Sequence, residues 1–149
     1  MQVEDNILNA ALNHASVGLR VFPISIEKRP LVREWTKSAT TDLEIIRDWW
    51  EQFPKAQVAI ATGKLPNCSK YLTVIDCDVK DGKNGVEEWQ GVQYEFECTA
   101  PPTLSATSGG GGKHYYYLTD KPYKSTSRLA SCMRNMKAGV TSETNTKTR

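Results

Sequence analysis

The sequence predicts a single domain of mixed α+β class, and three observations lead to this prediction. Stretches with the 3.6-residue period of amphipathic helices alternate along the chain with short β-prone runs. The length of 149 residues suffices for one domain with a core and is too short for two ordinary domains. Hydrophobic residues make up 39% of the chain and charged residues 24%, which is typical of globular proteins.

The N-terminal part is predicted to form a helix and then a strand. The apolar residues of segment 6–15 fall on one helical stripe, and Gly18 is a typical stop signal for such a helix. Residues 19–23 have the pattern of a short strand that Pro23 ends, because proline cannot donate to a ladder. This strand leads into a polar loop.

A second helix is predicted to begin at residues 41–44, Thr-Asp-Leu-Glu, which have the Ser/Thr-x-x-Glu form of a capping box. Pro54 cannot continue a helix and is expected to end it. Large aromatic residues at helical spacing are more often core than base-stacking platforms, so Trp35, Trp49 and Trp50 are assigned to packing.

The remaining elements follow from local patterns. They are buried strands at residues 58–61 and 71–75, a helix at residues 86–96, and strands at residues 103–107 and 114–118. The last two strands flank a glycine-rich segment, which predicts a β-hairpin.

Composition excludes several classes of protein and leaves function open. Four cysteines without a CxxC pair, and only two histidines, favour free thiols over a zinc site. No apolar run approaches the roughly 20 residues that cross a bilayer, and the acidic N-terminus does not resemble a secretory signal. We therefore expect no membrane partner and a cytoplasmic location. The net charge of +2 neither requires nor excludes a nucleic-acid partner.

The first candidate site is Asp76-Cys77-Asp78, at the end of an apolar run. Side chains at i and i+2 of a strand point to one face, so the two carboxylates repel unless a cation lies between them. Mg²⁺ or Mn²⁺ prefers such oxygen ligands and also holds phosphates. The alternative is that solvated aspartates simply begin a turn.

The second candidate is the segment from Ser108 through four glycines to Lys113 and His114. Glycines allow the backbone to approach a polyphosphate, and a flanking Lys or His can contact phosphate oxygens. It is not a Walker A loop, because the Gly-Lys-Ser/Thr ending is absent. The alternatives are a flexible hairpin tip and a histidine that belongs to the core.

The third candidate is the basic loop Lys28-Arg29-Pro30, which follows the first predicted strand. A loop of this kind can contact the phosphates of a nucleotide or of a template strand. The alternative is an ordinary solvated basic turn.

Taken in order, these motifs resemble the N-terminal domain of bifunctional primase-polymerases of plasmids, phages and mobile elements, a branch of the archaeo-eukaryotic primase superfamily. The resemblance covers residues 12–118. It rests on Gly18, Val21-Phe22-Pro23, Lys28-Arg29-Pro30, Trp35, Ala39-Thr40-Thr41, Trp49-Trp50, Pro54, Ala59-Ile60-Ala61-Thr62-Gly63, Val74-Ile75-Asp76-Cys77-Asp78, Thr107-Ser108-Gly109-Gly110 and His114-Tyr115-Tyr116.

The resemblance implies an RRM-like catalytic half packed with an N-terminal α/β half around a cleft. It implies template-directed nucleotidyl transfer by a two-metal mechanism with Mg²⁺ or Mn²⁺, acting on nucleoside triphosphates and single-stranded DNA. A replicative helicase is a further partner to be expected in trans.

The resemblance also assigns roles to individual residues. Asp76 and Asp78 would ligate the catalytic metals, and His114 would act with them by contacting the phosphates of the incoming nucleotide. The other residues expected to bind nucleotide are Ser108, Gly109, Gly110, Lys113 and Lys28.

The sequence departs from this family at its C-terminal end. A third acidic ligand is expected on a later strand, where Thr141 stands instead, followed by a Ser/Thr/Lys-rich tail. We therefore expect an incomplete primase-polymerase domain at residues 1–140, truncated or frame-altered after Val140, and a disordered segment at residues 141–149.

Two further functions are compatible with the same residues. One is a catalytically silent remnant that binds nucleotide or single-stranded DNA without turnover. The other is a metal-dependent phosphohydrolase or nuclease that uses the same aspartates.

Overall fold

The computed structural model describes residues 3–127 and contains both helices and antiparallel sheets, which confirms the mixed α+β class. The predicted tail at residues 141–149 and the expected position of the third acid lie outside the described residues. The helices are α1 (Val3–Ser16), α2 (Trp35–Ser38), α3 (Leu43–Gln52) and α4 (Gly85–Glu95), and the strands are β1 (Val21–Ile24), β2 (Gln57–Ile60), β3 (Gly63–Lys64), β4 (Tyr71–Cys77), β5 (Val79–Lys80), β6 (Lys83–Asn84), β7 (Ser105–Thr107) and β8 (Lys113–Thr119).

The described chain divides into two compact units. The first unit contains residues 3–73 and 118–122, and the second contains residues 74–117 and 123–127. The division passes through β4 and β8, which are neighbours in a four-stranded sheet with the order β3-β4-β8-β7. None of the helices described between residues 3 and 127 has the length and apolar character needed to span a bilayer.

Helix α1 ends at the predicted glycine. Gly18 has φ +89° and its N–H donates to the carbonyl of Ala15 at 2.9 Å, while the N–H of Leu19 donates to the carbonyl of His14 at 3.1 Å. These two bonds form a Schellman motif, in which the left-handed position strongly favours glycine. The predicted stop signal is therefore confirmed.

Strand β1 differs from its prediction, because Pro23 lies inside the strand instead of ending it. The strand starts at Val21, runs to Ile24 and pairs antiparallel with β2, with Pro23 opposite Val58. Proline is tolerated here because its nitrogen points away from β2, on the same side as the Val21 N–H that donates to Thr40, so it needs no partner in the β1–β2 ladder. The carbonyl of Pro23 instead accepts from the N–H of Leu31 at 3.0 Å.

Helix α3 forms where predicted, but its cap is Asp42 and not Thr41. The Asp42 carboxylate accepts from the N–H groups of Glu44 at 2.9 Å and Ile45 at 3.3 Å. Aspartate is at least as good an N-cap as threonine, so it replaces the Thr-Glu pairing of a capping box. The helix ends at Gln52, before Pro54.

The main core lies in the first unit, where α1 and α3 pack beside β1 and β2. Trp50 is buried within it, Trp49 packs at its edge, and Trp35 stacks on Phe22 with a ring-centroid separation of 4.8 Å. The predicted core role is confirmed for Trp50, whereas Trp35 is 39% exposed and is not a core residue, because it covers Phe22 with one face only. The buried members of this cluster are Ala11, Ala15, Val21, Ile46, Trp50 and Ala56.

Strands β2 and β4 form as predicted, but the expectation that both are buried is wrong. Residues Val58, Ala59 and Ile60 of β2 are only partly buried, and β4 buries Leu72 and Cys77 alone. Antiparallel sheets commonly pack one face on a core and leave the other toward water, which accounts for this partial burial.

Helix α4 confirms the prediction for residues 86–96 and begins one residue earlier. The Asn84 side chain caps its start by accepting from the N–H of Glu87 at 3.3 Å. Its end is a second Schellman motif, with the N–H of Glu97 donating to the carbonyl of Tyr94 and that of Cys98 to the carbonyl of Gln93. Glu97 occupies the left-handed position with φ 51°, which costs a residue other than glycine about 1 kcal/mol.

We expect Ile46→Ala to lower the free energy of unfolding by about 2–4 kcal/mol, because it opens a cavity at a side chain with 0% exposure. The matched control is Ile45→Ala on the same helix, where the side chain is 42% exposed, and the expected loss is about 1 kcal/mol or less. Urea denaturation followed by tryptophan fluorescence measures both. Equal losses in the two variants would contradict the assigned core.

Candidate active site

Strand β4 carries the aspartate pair at its C-terminal end. Cys77 is buried with 3% exposure, whereas the side chains of Asp76 and Asp78 on either side of it are 58% and 59% exposed. This exposed-buried-exposed alternation is that of a strand with one covered face. The two carboxylates therefore project from the uncovered face of the strand toward solvent, as the spacing predicts.

A small hairpin follows and brings a cation to Asp78. Strands β5 and β6 pair antiparallel, and Asp81 and Gly82 between them have φ 53° and 73°, the two positive values of a type I′ turn. The hairpin places Lys80 Nζ 3.1 Å from Asp78 Oδ2. This hydrogen bond and the charge of Asp78 raise the pKa of Lys80, so the ammonium form is favoured.

Strands β7 and β8 form the predicted hairpin around the glycine-rich segment. Ala106 pairs with His114 and Thr107 with Lys113. The Ser108 N–H donates to the carbonyl of Gly112 at 2.9 Å, and Gly111, with φ +84°, donates to the carbonyl of Ser108 at 2.9 Å. The segment is thus a tight, hydrogen-bonded turn.

His114 lies against the first of the two aspartates. Its Nε2 is 3.2 Å from Asp76 Oδ1, and its side chain is 38% exposed. The ring is also edge-on to Tyr116, with centroids 6.5 Å apart. His114 is therefore partly exposed and lies beside a carboxylate, so it is not a core histidine.

The acidic groups create a negative field at the end of β4. Burial raises the pKa of the Cys77 thiol, and the charges of Asp76, Asp78 and Glu88 raise it further. Burial, and then the charge of Asp76, likewise raises the pKa of the Tyr116 hydroxyl. A field that opposes thiolate and phenolate formation favours a cation at the same place.

The structure brings together some of the predicted site residues. Asp76 and His114 are in contact, Asp78 flanks the same buried cysteine, and Ser108 to Lys113 lead into His114 along one hairpin. Lys28 belongs to the first unit, where it holds φ 62° in a turn closed by its N–H to the carbonyl of Ser25 at 2.9 Å.

The two carboxylates do not form a complete set of metal ligands by themselves. Within residues 3–127 no group of three or more His, Cys, Asp or Glu side chains is arranged to hold a metal ion. Mg²⁺ usually keeps several waters and binds through one or two carboxylates together with substrate phosphates. A pair of exposed carboxylates therefore fits such an ion by its donor chemistry.

Sequence reasoning did not identify Lys80 as part of this site. The Asp-Gly dipeptide at residues 81–82 is a strong signal for a two-residue hairpin, and a hairpin there returns the chain beside the end of β4. That signal predicts the turn but not which side chain of the hairpin contacts Asp78. The contact with Lys80 also depends on how far the lysine side chain extends, and the sequence pattern does not give this.

We expect Lys80→Gln to leave the free energy of unfolding close to that of the wild type, because both members of its ion pair are mostly exposed and screened by water. Urea denaturation at low and high salt measures any change, which should shrink further as salt rises. A large loss of stability would show instead that the pair holds the hairpin together.

The site residues lie within a region that matches a known family. The profile of the family described as "Bifunctional DNA primase/polymerase, N-terminal" (Prim-Pol) matches residues 11–140, which include Asp76, Asp78 and His114. No curated protein and no solved structure matches the chain. The family match agrees with the resemblance found from the sequence motifs. The chain belongs to the bifunctional DNA primase/polymerase N-terminal family.

Proposed function

We propose that this chain is a DNA primase-polymerase domain that transfers nucleotides at Asp76, Asp78 and His114. The observation that carries the proposal is the contact between His114 Nε2 and Asp76 Oδ1 at 3.2 Å, next to a second exposed carboxylate. Membership of the family supplies the reaction class. The local geometry supplies the candidate residues.

The residues present fit a divalent cation such as Mg²⁺ or Mn²⁺. Asp76 and Asp78 offer exposed carboxylate oxygens on either side of a buried residue, and oxygen is the ligand that these ions prefer. When bound, a pair of such ions lowers the pKa of the primer 3′-hydroxyl and neutralises the charge of the triphosphate. This two-metal chemistry is part of the proposal.

The protein groups position the reactants and supply fixed charge. His114, held beside Asp76, can donate from a ring nitrogen to a phosphate oxygen of the incoming nucleotide. The turn from Ser108 to Lys113 can add backbone N–H groups and the Lys113 ammonium to the same triphosphate. Preorganised donors of this kind are commonly the largest contribution to transition-state stabilisation.

The glycine turn has free space where a phosphate has to approach. A Cβ atom placed on Gly109 would meet no atom within 4 Å, and one on Gly110 would lie in ordinary contact, 3.6 Å from the carbonyl oxygen of Val79. The absence of side chains at these two positions therefore leaves the backbone open. We assign Lys28 the role of a further phosphate contact on the nucleotide or on the single-stranded template.

Asp76→Asn should reduce primer extension by on the order of 100-fold or more, because the amide is neutral and binds a cation far more weakly. The assay uses a primed single-stranded DNA template, nucleoside triphosphates and either Mg²⁺ or Mn²⁺, and a second assay omits the primer. Asp81→Asn is the matched control: it makes the same chemical change on the nearby turn, at a left-handed position that asparagine tolerates.

The outcomes of this assay separate the proposal from its alternatives. Cation-dependent nucleotide binding without polymer growth would identify a silent binding domain. Release of phosphate, or nicking of DNA without polymer growth, would identify a hydrolase or nuclease. Equal activity of Asp76→Asn and the wild type would remove the assigned site.

Lys80→Gln should tighten Mn²⁺ binding by about two- to fivefold, because the ammonium competes with the ion for Asp78. Lys83→Gln, on the opposite strand of the same hairpin, changes the net charge equally and serves as the control. Titration of free Mn²⁺ by electron paramagnetic resonance gives both dissociation constants. An equal effect of the two substitutions would mean that net charge, not the Asp78 pair, determines affinity.

A further inference from the structure

Two glycines approach the peptide bond between Cys77 and Asp78. A Cβ on Gly112, just before β8, would lie 2.6 Å from the carbonyl oxygen of Cys77 and 3.3 Å from the Cα of Asp78. A Cβ on Gly85, at the start of α4, would lie 2.8 Å from the carbonyl oxygen of Asp78 and 3.0 Å from its nitrogen. We call Gly85 and Gly112 the glycine clamp.

Backbone conformation does not explain these two glycines. The glycines with positive φ are Gly18, Gly63, Gly82 and Gly111, and neither member of the glycine clamp is among them. The φ angles at Gly85 and Gly112 therefore lie outside the left-handed region that favours glycine. What the positions exclude is the side chain, because the closest atoms that it would meet, the carbonyl oxygens of Cys77 and Asp78, belong to the backbone and cannot rotate away. A Cβ on Gly112 would also lie 3.0 Å from the Ser108 Oγ.

The backbone on either side of this peptide makes further contacts. The N–H of Gly85 donates to the carbonyl of Asp78 at 2.8 Å. Gly112 is itself buried, and its carbonyl accepts from Ser108 in the tight turn. On the strand side, the Cys77 side chain is buried. The backbone that carries Asp78 is therefore fixed by a hydrogen bond, by burial and by contact with two glycines.

Other glycines of the same two elements lack such contacts. A Cβ on Gly91 of α4, or on Gly109 of the turn, would meet nothing within 4 Å. The run of four glycines thus contains positions with different roles. Its first glycine faces open space, whereas Gly112 permits the hairpin to approach the aspartate strand.

We propose that Gly85 and Gly112 are positioning residues that set the place of the Asp78 carboxylate for cation binding; the proposal rests on the proposed function. The carboxylate is attached through the Asp78 Cα, which adjoins the clamped peptide, so a shift of this peptide forced by a Cβ at either glycine also moves the carboxylate. Metal sites tolerate ligand displacements of only about 0.2 Å, so the cation is held less well after such a shift.

The test compares Mn²⁺ binding by Gly112→Ala and Gly85→Ala with that of the wild-type chain, without nucleotide. Each substitution should raise the dissociation constant by on the order of tenfold. In ¹H–¹⁵N spectra, the amide signals of Cys77 and Asp78 should move as well. This second readout requires no metal.

Two controls separate positioning from general destabilisation. Gly91→Ala adds the same methyl group at an exposed position of α4 and should leave the dissociation constant within about twofold of wild type. Ile46→Ala lowers stability from the core of the first unit and should also leave it within about twofold, measured where the protein is folded.

The outcomes distinguish this inference from the proposed function. Wild-type binding that Asp76→Asn does not weaken would overturn the proposed function, and the positioning role with it. Normal Mn²⁺ binding by both folded clamp variants, or unmoved amide signals, would overturn the positioning role alone. If neither variant folds, hydrogen exchange of the Gly85 amide in the wild type decides: slower exchange with Mg²⁺ supports the role, and unchanged exchange overturns it.

Discussion

The close backbone contact at the Cys77–Asp78 peptide is the constraint on which the second unit depends. Strand β4, the turn before β8 and the start of α4 all meet this one peptide, two of them through glycine. Because backbone atoms make the contact, its geometry does not vary with side-chain rotamers. This contact gives a rigid base to the segment that presents Asp76 and Asp78 to solvent. Preorganised sites require such a base.

The two-residue period of strand β4 places Cys77 and its acidic neighbours on opposite faces. Burial of Cys77 directs its neighbours outward, and the outward side chains then find cationic or polar partners on the following hairpins. The same alternation therefore fixes the strand in the fold and exposes its carboxylates. The family to which the chain belongs gives this arrangement a chemical context.

Features that depend on a few consecutive residues could be predicted from the sequence. The left-handed end of α1 at Gly18 and the hairpin around the glycine-rich turn follow from local conformational preference. The cap at Asp42 was misassigned because two adjacent residues can both cap, and their order of preference depends on small energy differences. Pro23 was misplaced because the sequence does not reveal how many strands the sheet contains.

The candidate site was predictable only in part, for a related physical reason. Alternation identifies Asp76 and Asp78 as neighbours on one face, but the contact with His114 joins residues far apart in sequence. A run of identical glycines likewise gives no sign of which member packs closely, because that depends on the path of another strand. Contacts between distant segments are the information that local patterns lack.

The side-chain partners of the two aspartates have a consequence for how the end of β4 can fold. Lys80 lies beside Asp78 and His114 beside Asp76, so each acid has an internal partner within its own unit. Small zinc-dependent domains, by contrast, stay unfolded until their ion arrives. Here both carboxylates have a side-chain partner from the chain itself, so packing at the end of β4 leaves neither acid unpaired.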